Sequence, residues 1–292
     1  MRFGIIGNLD KQGLINAVEA LIRKLDSAGV EYVIEDGFVP LLGESLRKLK
    51  PGTLVSRDEC VRTADTLVAF GGDGTMLAAA RLVGAHGTPI LGVNLGKLGF
   101  LAEVAPEDML EAVDEVIAGR VIIEKRLVLE ALVSQPASKV MFGLNDVVID
   151  KSRSSRMIEV EVYINDAFAV NYRADGLIIS TPTGSTAYAL SSGGPIVVPT
   201  SNVIGITPIS PHTLSGRPLI IPDTDTIRIT TKAHMEEVLL SVDGQEEAIL
   251  KPPVEVRIKR ASHTVSLVKR MDGTYYDVLR AKLLWGKDAR GA

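Results

Sequence analysis

The sequence has very little cysteine and no long hydrophobic run. Cys60 is the only cysteine in 292 residues, which excludes an internal disulfide and a metal cluster built from thiolates. No stretch approaches the roughly 18 consecutive apolar residues of a membrane-spanning helix, and the apolar run in the opening MRFGIIGN is too short for a secretory signal. We therefore expect a soluble, cytoplasmic protein that has no membrane partner.

An excess of charge of one sign is also missing. The chain has 32 Lys and Arg residues and 36 Asp and Glu residues, mixed along its length, with a net charge of -4. Proteins that bind nucleic acids usually carry a basic stripe that contacts the phosphates, so we expect no nucleic-acid partner. The histidines lack the spacing of zinc ligands; they are His86, His212, His234 and His263.

The common nucleotide-binding motifs are absent as well. GVNLGKLG has three residues between Gly92 and Gly96, where a phosphate-binding P-loop has four, and Leu98 stands where the P-loop has a hydroxyl residue. The dinucleotide fingerprint G-x-G-x-x-G is incomplete, because GDGTML places Leu77 where the third glycine would be. The catalytic-loop and D-F-G motifs of protein kinases are missing too, so these motifs indicate no family.

Two patterns of hydrophobic residues divide the chain. The first hundred residues alternate short β-rich runs with longer amphipathic runs, which predicts an α/β domain with a parallel sheet. From Val121 the runs are short and alternating, which predicts an antiparallel, sandwich-like β-rich domain. We expect an α/β domain over 1–120, on which the helical segment 272–292 packs, a β-rich domain over 121–271, and a ligand cleft between the two.

The segment GGDGT at 71–75 joins a predicted strand to a predicted helix. Consecutive glycines at this junction expose backbone N–H groups at the positive end of the helix dipole, and this arrangement attracts phosphate. Asp73 would repel phosphate, so its presence needs another explanation. It could bind Mg²⁺, accept a proton from an attacking hydroxyl group, or shape a D-G turn.

Two further segments carry polar side chains near predicted strand ends. In LNDVV at 144–148, Asn145 and Asp146 could bind the paired hydroxyl groups of a ribose, and a hairpin turn explains the dipeptide equally well. RADGLIISTPTGSTAY at 173–188 predicts a turn over 181–185 and a short helix from 186 to 190, whose N-terminus suits a phosphate or an adenine edge. A Ser/Thr-rich turn that caps a helix is the alternative.

These segments, together with GVNLGKLGFL at 92–101 and VDGQ at 242–245, resemble the NAD kinase family in order and spacing over nearly the whole chain. The resemblance implies an N-terminal α/β domain, a C-terminal β-rich domain that binds the dinucleotide, and an active site between them. It implies transfer of the terminal phosphoryl group of ATP to the 2′-hydroxyl of the adenosine ribose of NAD, which gives NADP. It also implies Mg²⁺ as a cofactor, held mainly by the phosphates of the donor.

The resemblance further implies roles for individual residues. Asp73 falls on the family's catalytic aspartate, which is expected to act as the general base. Many members have glutamate where this chain has Asp146, which is one methylene group shorter, and Tyr188 is expected to pack on a ring. The implied substrate-binding residues are Gly74, Asn145, Asp146, Arg156, Arg173, Asp175, Thr186, Ala187, Tyr188, Ala189, Leu190, Ser191 and Gln245.

Two alternative functions share parts of this pattern. Lipid and sphingoid kinases resemble the chain in the G-G-D-G loop, but the ribose-binding pair and TPTGSTAY disfavour them. A non-catalytic dinucleotide sensor would keep the binding residues, and the presence of Asp73 argues against it. The sequence does not distinguish ATP from polyphosphate as the donor, or NAD from NADH as the acceptor. Because the edges of a β-rich domain need to be covered, we expect a homo-oligomer, either a dimer or a tetramer.

Overall fold

The computed structural model describes residues 1–43, 49–133, 139–152, 154–213, 215–232 and 237–284. The chain forms two compact units. The first combines Met1–Lys125 with the chain from Val265 onward, and the second is Arg126–Thr264.

The first unit is built on a parallel sheet. Its strands are Arg2–Gly7 (β1), Glu31–Glu35 (β2), Leu54–Val55 (β3), Thr66–Gly71 (β4) and Ile90–Asn94 (β5). They pair in the order β5-β4-β1-β2-β3, and every pair is parallel. β4 and β5 are buried along their whole length, as expected of parallel strands that are covered on both faces. The predicted α/β domain with a parallel sheet is confirmed.

Helices connect these strands, and the longest shows how the sequence specifies them. They are Leu14–Ala28 (α1), Val39–Leu42 (α2), Arg57–Thr63 (α3), Asp73–Val83 (α4) and Met109–Ile117 (α5). In α1 the buried residues Leu14, Val18, Leu21 and Leu25 recur every three or four positions, which places them on one face of the helix. Gly29 ends the helix with a left-handed backbone at φ 66°. The apolar face packs in one hydrophobic cluster with side chains of β1 and β4.

The second unit consists mainly of antiparallel strands. They are Ile122–Val133 (β6), which enters this unit at Arg126, Lys139–Gly143 (β7), Asp146–Asp150 (β8), Ile158–Ile164 (β9), Ala167–Ala174 (β10), Gly176–Ser180 (β11), Val203–Ile209 (β12), Leu219–Pro222 (β13), Ile227–Thr231 (β14), Val238–Val242 (β15) and Glu246–Leu250 (β16). One sheet has the order β13-β12-β11-β8-β15-β16, and a second sheet contains β10, β9 and β14 as neighbours. Val147 and Ile179 of the first sheet share a hydrophobic cluster with Val160 and Ile229 of the second. The predicted sandwich-like β-rich domain is therefore confirmed.

A long strand and a helix follow, Glu255–Lys269 (β17) and Tyr275–Leu283 (α7). VEVRIKR and TVSLVKR, which the alternation marks as two separate runs, form this one continuous strand. Its first part pairs antiparallel with β14, and Leu267 near its end pairs in parallel with Ile90 of β5. In α7 the buried residues are Val278 and Leu279.

The domain limits proposed from the sequence stay a prediction, and residues 285–292 of the predicted C-terminal segment lie outside the described residues. Within the described part, Arg270 donates to Glu115 of α5 at 3.0 Å. The Lys282 ammonium lies 5.3 Å from the centroid of the Phe100 ring.

No helix in the described ranges is both long and apolar enough to cross a membrane.

The start of α7 offers a test of local stability. The hydroxyl of Thr274 accepts a hydrogen bond from the Asp277 N–H at 3.3 Å, and the Asp277 carboxylate accepts one from the Thr274 N–H at 2.9 Å, which is a capping box. Thr274→Ala should lower the free energy of unfolding by about 1 kcal/mol, because the helix loses its N-cap acceptor. Urea denaturation measures this loss. Thr274→Ser keeps the acceptor and should match the parent chain; an equal loss in both variants would contradict the capping role.

Candidate functional site

The GGDGT segment forms a tight junction between β4 and α4. β4 ends at Gly71 and α4 begins at Asp73, so a single residue, Gly72, separates the strand from the helix. A Cβ atom on Gly71 would stand 2.1 Å from the Thr75 hydroxyl oxygen, so only glycine allows the helix to start this close to the strand. Gly74 is exposed, with open space around the position of a Cβ atom. The loop thus presents backbone at the carboxyl end of a parallel strand, where ligands of open α/β sheets bind.

Asp73 links this junction to the segment that follows β5. One carboxylate oxygen accepts the Phe100 N–H at 2.9 Å, and the other accepts the N–H groups of Leu101 at 2.9 Å and Ala102 at 3.3 Å. The side chain is half-buried. A Cβ atom on Gly99 would stand 2.1 Å from the nearer carboxylate oxygen. Asp73 is therefore held in one orientation by three backbone donors.

Asn94 organises the same segment and was not singled out by the sequence. Its side-chain amide donates to the Lys97 carbonyl at 2.6 Å, and its side-chain oxygen accepts the Gly96 N–H at 2.9 Å. The next residue, Leu95, donates its N–H to the Gly71 carbonyl at 3.1 Å. Asn94 is buried at the end of β5. A polar residue that ends an apolar strand run was the available signal.

The LND segment at the start of β8 is held by one aspartate that the sequence analysis also missed. The Asp243 carboxylate accepts the N–H groups of Leu144 at 2.8 Å, Asn145 at 2.7 Å and Asp146 at 3.0 Å. Asp243 lies in the turn between β15 and β16, with a left-handed backbone at φ 53°. On the other side, Thr181 donates its hydroxyl to the Leu144 carbonyl at 2.6 Å and its N–H to the Asn145 carbonyl at 2.9 Å.

Asp146 lies at a cleft on the six-stranded sheet. The cleft has a volume of about 340 Å³. Four predicted site residues line it, namely Asn145, Asp146, Ala187 and Tyr188, together with Val148, Asp150, Leu239, Ser241, Asp243, Gly244 and Glu247. Asp146 is only 5% exposed. Burial, and next the nearby charge of Asp243, raise the pKa of the Asp146 carboxyl to about 7.

The STPTGSTAY segment differs in part from the prediction. The turn expected over 181–185 contains a 3-10 turn, Thr183–Thr186, but the helix is Tyr188–Ser191 (α6) and does not begin at 186. The hydroxyl groups account for this difference, because Thr186 donates to the Thr183 carbonyl at 3.1 Å and such local bonds compete with a helix. The predicted helix bounds are therefore wrong, and a helix of four residues has little dipole; binding of a phosphate or an adenine edge at this segment stays a prediction.

α6 nevertheless places one predicted residue over the cleft. Ala189 is buried against Val148 and Ile178 of the six-stranded sheet, and this contact anchors the short helix. Tyr188 is 46% exposed and lines the cleft. A ring at this position can pack on a flat ligand.

The remaining predicted site residues do not line this cleft among the described residues. Arg156 is exposed in the connection between β8 and β9, and Arg173 is exposed on β10. Asp175 forms an ion pair with Lys151 at 2.7 Å. Gln245 donates its N–H to the Val242 carbonyl at 3.0 Å in the hairpin turn beside the cleft. Three residues of the α6 region are likewise outside its lining: Thr186, Leu190 and Ser191.

Known protein families match both units of the chain. The family model described as the ATP-NAD kinase N-terminal domain matches residues 3–121, and the one described as the ATP-NAD kinase C-terminal domain matches residues 144–270. The first match includes the GGDGT segment, and the second includes the LND, STPTGSTAY and VDGQ segments.

Curated relatives and solved structures agree with these matches. A protein named NAD kinase from Moorella thermoacetica is 42% identical over 286 residues, which cover 98% of this chain and 90% of the relative. An NAD kinase from Bacteroides fragilis is 41% identical over 292 residues, which cover 99% of this chain and 100% of the relative. The structure of yeast NADH kinase complexed with NADH has a TM-score of 0.89 at 27% identity, over 100% of this chain and 90% of that one. An NAD kinase from Archaeoglobus fulgidus in complex with ATP shares the fold, with a TM-score of 0.76 at 21% identity, over 96% of this chain and 99% of that one.

Proposed function

Because the chain belongs to the NAD kinase family and is accordingly an NAD kinase, we propose that it transfers the terminal phosphoryl group of ATP to the 2′-hydroxyl of the adenosine ribose of NAD, giving NADP. The observation that carries this proposal is the geometry of Asn145 and Asp146. Their backbone is fixed from two sides, and both residues line the cleft. An adjacent amide and carboxyl group can bind the two neighbouring hydroxyl groups of a ribose.

We propose Asp73 as the general base. A carboxylate offers about four lone-pair sites for hydrogen bonds, and three backbone donors already occupy Asp73. The remaining site can accept the proton of a ribose hydroxyl as its oxygen bonds to phosphorus and the bond to the leaving ADP breaks. The three backbone donors keep the carboxylate in one orientation. It can therefore hold the ribose hydroxyl in the position for attack, which is a major part of catalysis.

Mg²⁺ fits a site in which phosphates supply most of the ligands. Two side chains at the junction have oxygen atoms that could bind a cation. The Asp73 carboxylate already accepts three N–H groups, and the Asn94 side-chain oxygen accepts one. Mg²⁺ is commonly bound by one or two carboxylates together with substrate phosphates and water. When bound, the ion neutralises charge on the transferred phosphoryl group.

A homo-oligomer in the cytoplasm completes the proposal. The outer strands of the six-stranded sheet, β13 and β16, carry exposed apolar side chains: Leu219 and Ile220 are each 39% exposed, and Ile249 is 58% exposed. Sheet edges of this kind are usually covered. A second copy of the chain would cover them, which supports a dimer or a tetramer.

A single assay with several arms tests the activity. The purified protein is incubated with NAD, ATP and MgCl₂, and NADP is measured with an NADP-specific dehydrogenase. Parallel arms each make one change: polyphosphate in place of ATP, NADH in place of NAD, a sphingoid base in place of the dinucleotide, or the addition of EDTA. We expect NADP from NAD with ATP and its loss with EDTA. Dinucleotide binding without phosphorylation by either donor would indicate a sensor, and phosphorylation of the sphingoid base alone would indicate a lipid kinase.

A further inference from the structure

We propose that Asp243 is a positioning residue for the dinucleotide site: its carboxylate fixes the backbone of Leu144–Asp146, and its charge governs when Asp146 can bind the ribose as an anion. The inference rests on the proposed function of Asn145 and Asp146. It concerns a residue in the turn between β15 and β16, 97 positions further along the chain than Asp146.

The contacts of Asp243 extend over the whole LND segment. Its two carboxylate oxygens accept three consecutive N–H groups, at 2.8, 2.7 and 3.0 Å. Its own N–H donates to the Asp146 carbonyl at 3.0 Å. Hydrogen bonds to a charged acceptor are stronger than neutral ones. The direction in which the Asn145 and Asp146 side chains point therefore depends on this carboxylate together with Thr181, which bonds the segment from the other side.

Asp146 is buried and yet reaches the cleft, as expected of a residue that binds a ligand. It is 95% buried, since only 5% of its surface is exposed, and it lines the cleft. No hydrogen bond to its carboxylate is made by the described part of the chain. The side chain lines the cleft, so ribose hydroxyl groups can donate hydrogen bonds to its carboxylate there.

The charges around Asp146 all have the same sign. The titratable groups that line the cleft with it are Asp150 on its own strand, Asp243 and Glu247 on the β15–β16 hairpin, and Tyr188 on α6. Ser180, its partner on β11, is uncharged. Within the described ranges no lysine, arginine or histidine lines the cleft. Burial and the Asp243 charge raise the pKa of Asp146 to about 7, so its protonation competes with ribose binding near neutral pH.

Asp243→Asn tests both parts of the inference. Asparagine keeps an oxygen acceptor and the left-handed backbone, but it loses the charge and turns an amide group toward one N–H donor. We expect the KM for NAD at pH 8 to rise about tenfold, corresponding to the loss of one charge-assisted hydrogen bond, and kcat to change less. In the parent chain KM should rise as the pH falls below about 7. In the variant this rise should begin at lower pH, because removal of the negative charge lowers the pKa of Asp146.

The matched control is Asp166→Asn. Asp166 also lies in a hairpin turn with a left-handed backbone, at φ 65°, and it pairs with Arg228 on the surface. This variant should keep the parent KM at every pH. If Asp243→Asn is too unstable to assay, Asp146→Asn serves instead and should abolish the dependence of KM on pH.

Several outcomes would overturn the inference. They are an unchanged KM in Asp243→Asn, a KM raised by the same factor at every pH, or a pH dependence that survives in Asp146→Asn. Absence of NADP formation by the parent chain would instead contradict the proposed function, so the two failures are distinguishable.

Discussion

Asp73→Asn should lower kcat for NADP formation at least about a hundredfold, the lower end of what a general base contributes. Asparagine has nearly the same size and still accepts hydrogen bonds through one oxygen, so it can retain the N–H partners Leu101 and Ala102. It cannot accept the proton of a ribose hydroxyl. Steady-state kinetics with NAD and ATP measure the loss, and calorimetry checks that NAD affinity is retained.

The structure makes a control necessary, because Asp73 also anchors the segment after β5. Asp277→Asn is a matched change: this aspartate likewise accepts a backbone N–H in the first turn of a helix of the first unit. It should reduce stability slightly and leave kcat unchanged. If Asp73→Asn loses less than about tenfold in kcat, the carboxylate anchors the segment and does not act as the base.

Gly184→Ala should lower kcat/KM for NAD about a hundredfold, a loss that a misplacement of about 1 Å can produce. A Cβ atom at this position would stand 2.0 Å from the Asn145 carbonyl oxygen and 2.4 Å from its carbonyl carbon. Both atoms belong to the backbone and cannot rotate away. The LND segment or the turn at 183–186 must therefore move, and the ribose-binding side chains move with it.

The stability of the same variant should also fall, by about 1–3 kcal/mol, because overpacking strains a buried site. Gly273→Ala is the control, since no atom lies within 4 Å of the position of its Cβ. Urea denaturation and kinetics on both variants separate the two effects. A Gly184→Ala enzyme with the parent kcat/KM would show that Asn145 does not need its present position.

The sequence predicted the two-part fold because its periodicities are local. Strands buried on both faces appear as unbroken apolar runs, and the face of α1 recurs every three or four residues. The NAD kinase family was also predicted, through the order and spacing of GGDGT, LND and the other segments; the roles of these segments stay predictions. The periodicity could not predict which strands pair. It also could not show that the two runs VEVRIKR and TVSLVKR form the single strand β17.

The supporting residues of the site were the least accessible to prediction. Asp243 contacts Leu144–Asp146 across 97 to 99 positions, and VDGQ by itself indicates only a turn. Thr181 belongs to a segment rich in hydroxyl groups, where no local pattern tells a ligand-binding hydroxyl from one bonded to the Leu144 carbonyl. Such contacts depend on tertiary structure and leave no local pattern in the sequence.

The first unit is built from two separate stretches of chain, and this affects how the protein can fold during synthesis. A ribosome delivers Met1–Lys125 early, but Leu267, which pairs with Ile90 of β5, emerges only after all of Arg126–Thr264 has been made. Until then β5 lacks that neighbour beside Ile90, although Gly92 and Asn94 further along the strand already bond to Val104. Domains that lie in one stretch of chain generally fold in the order of their synthesis; here the unit that starts first is completed last.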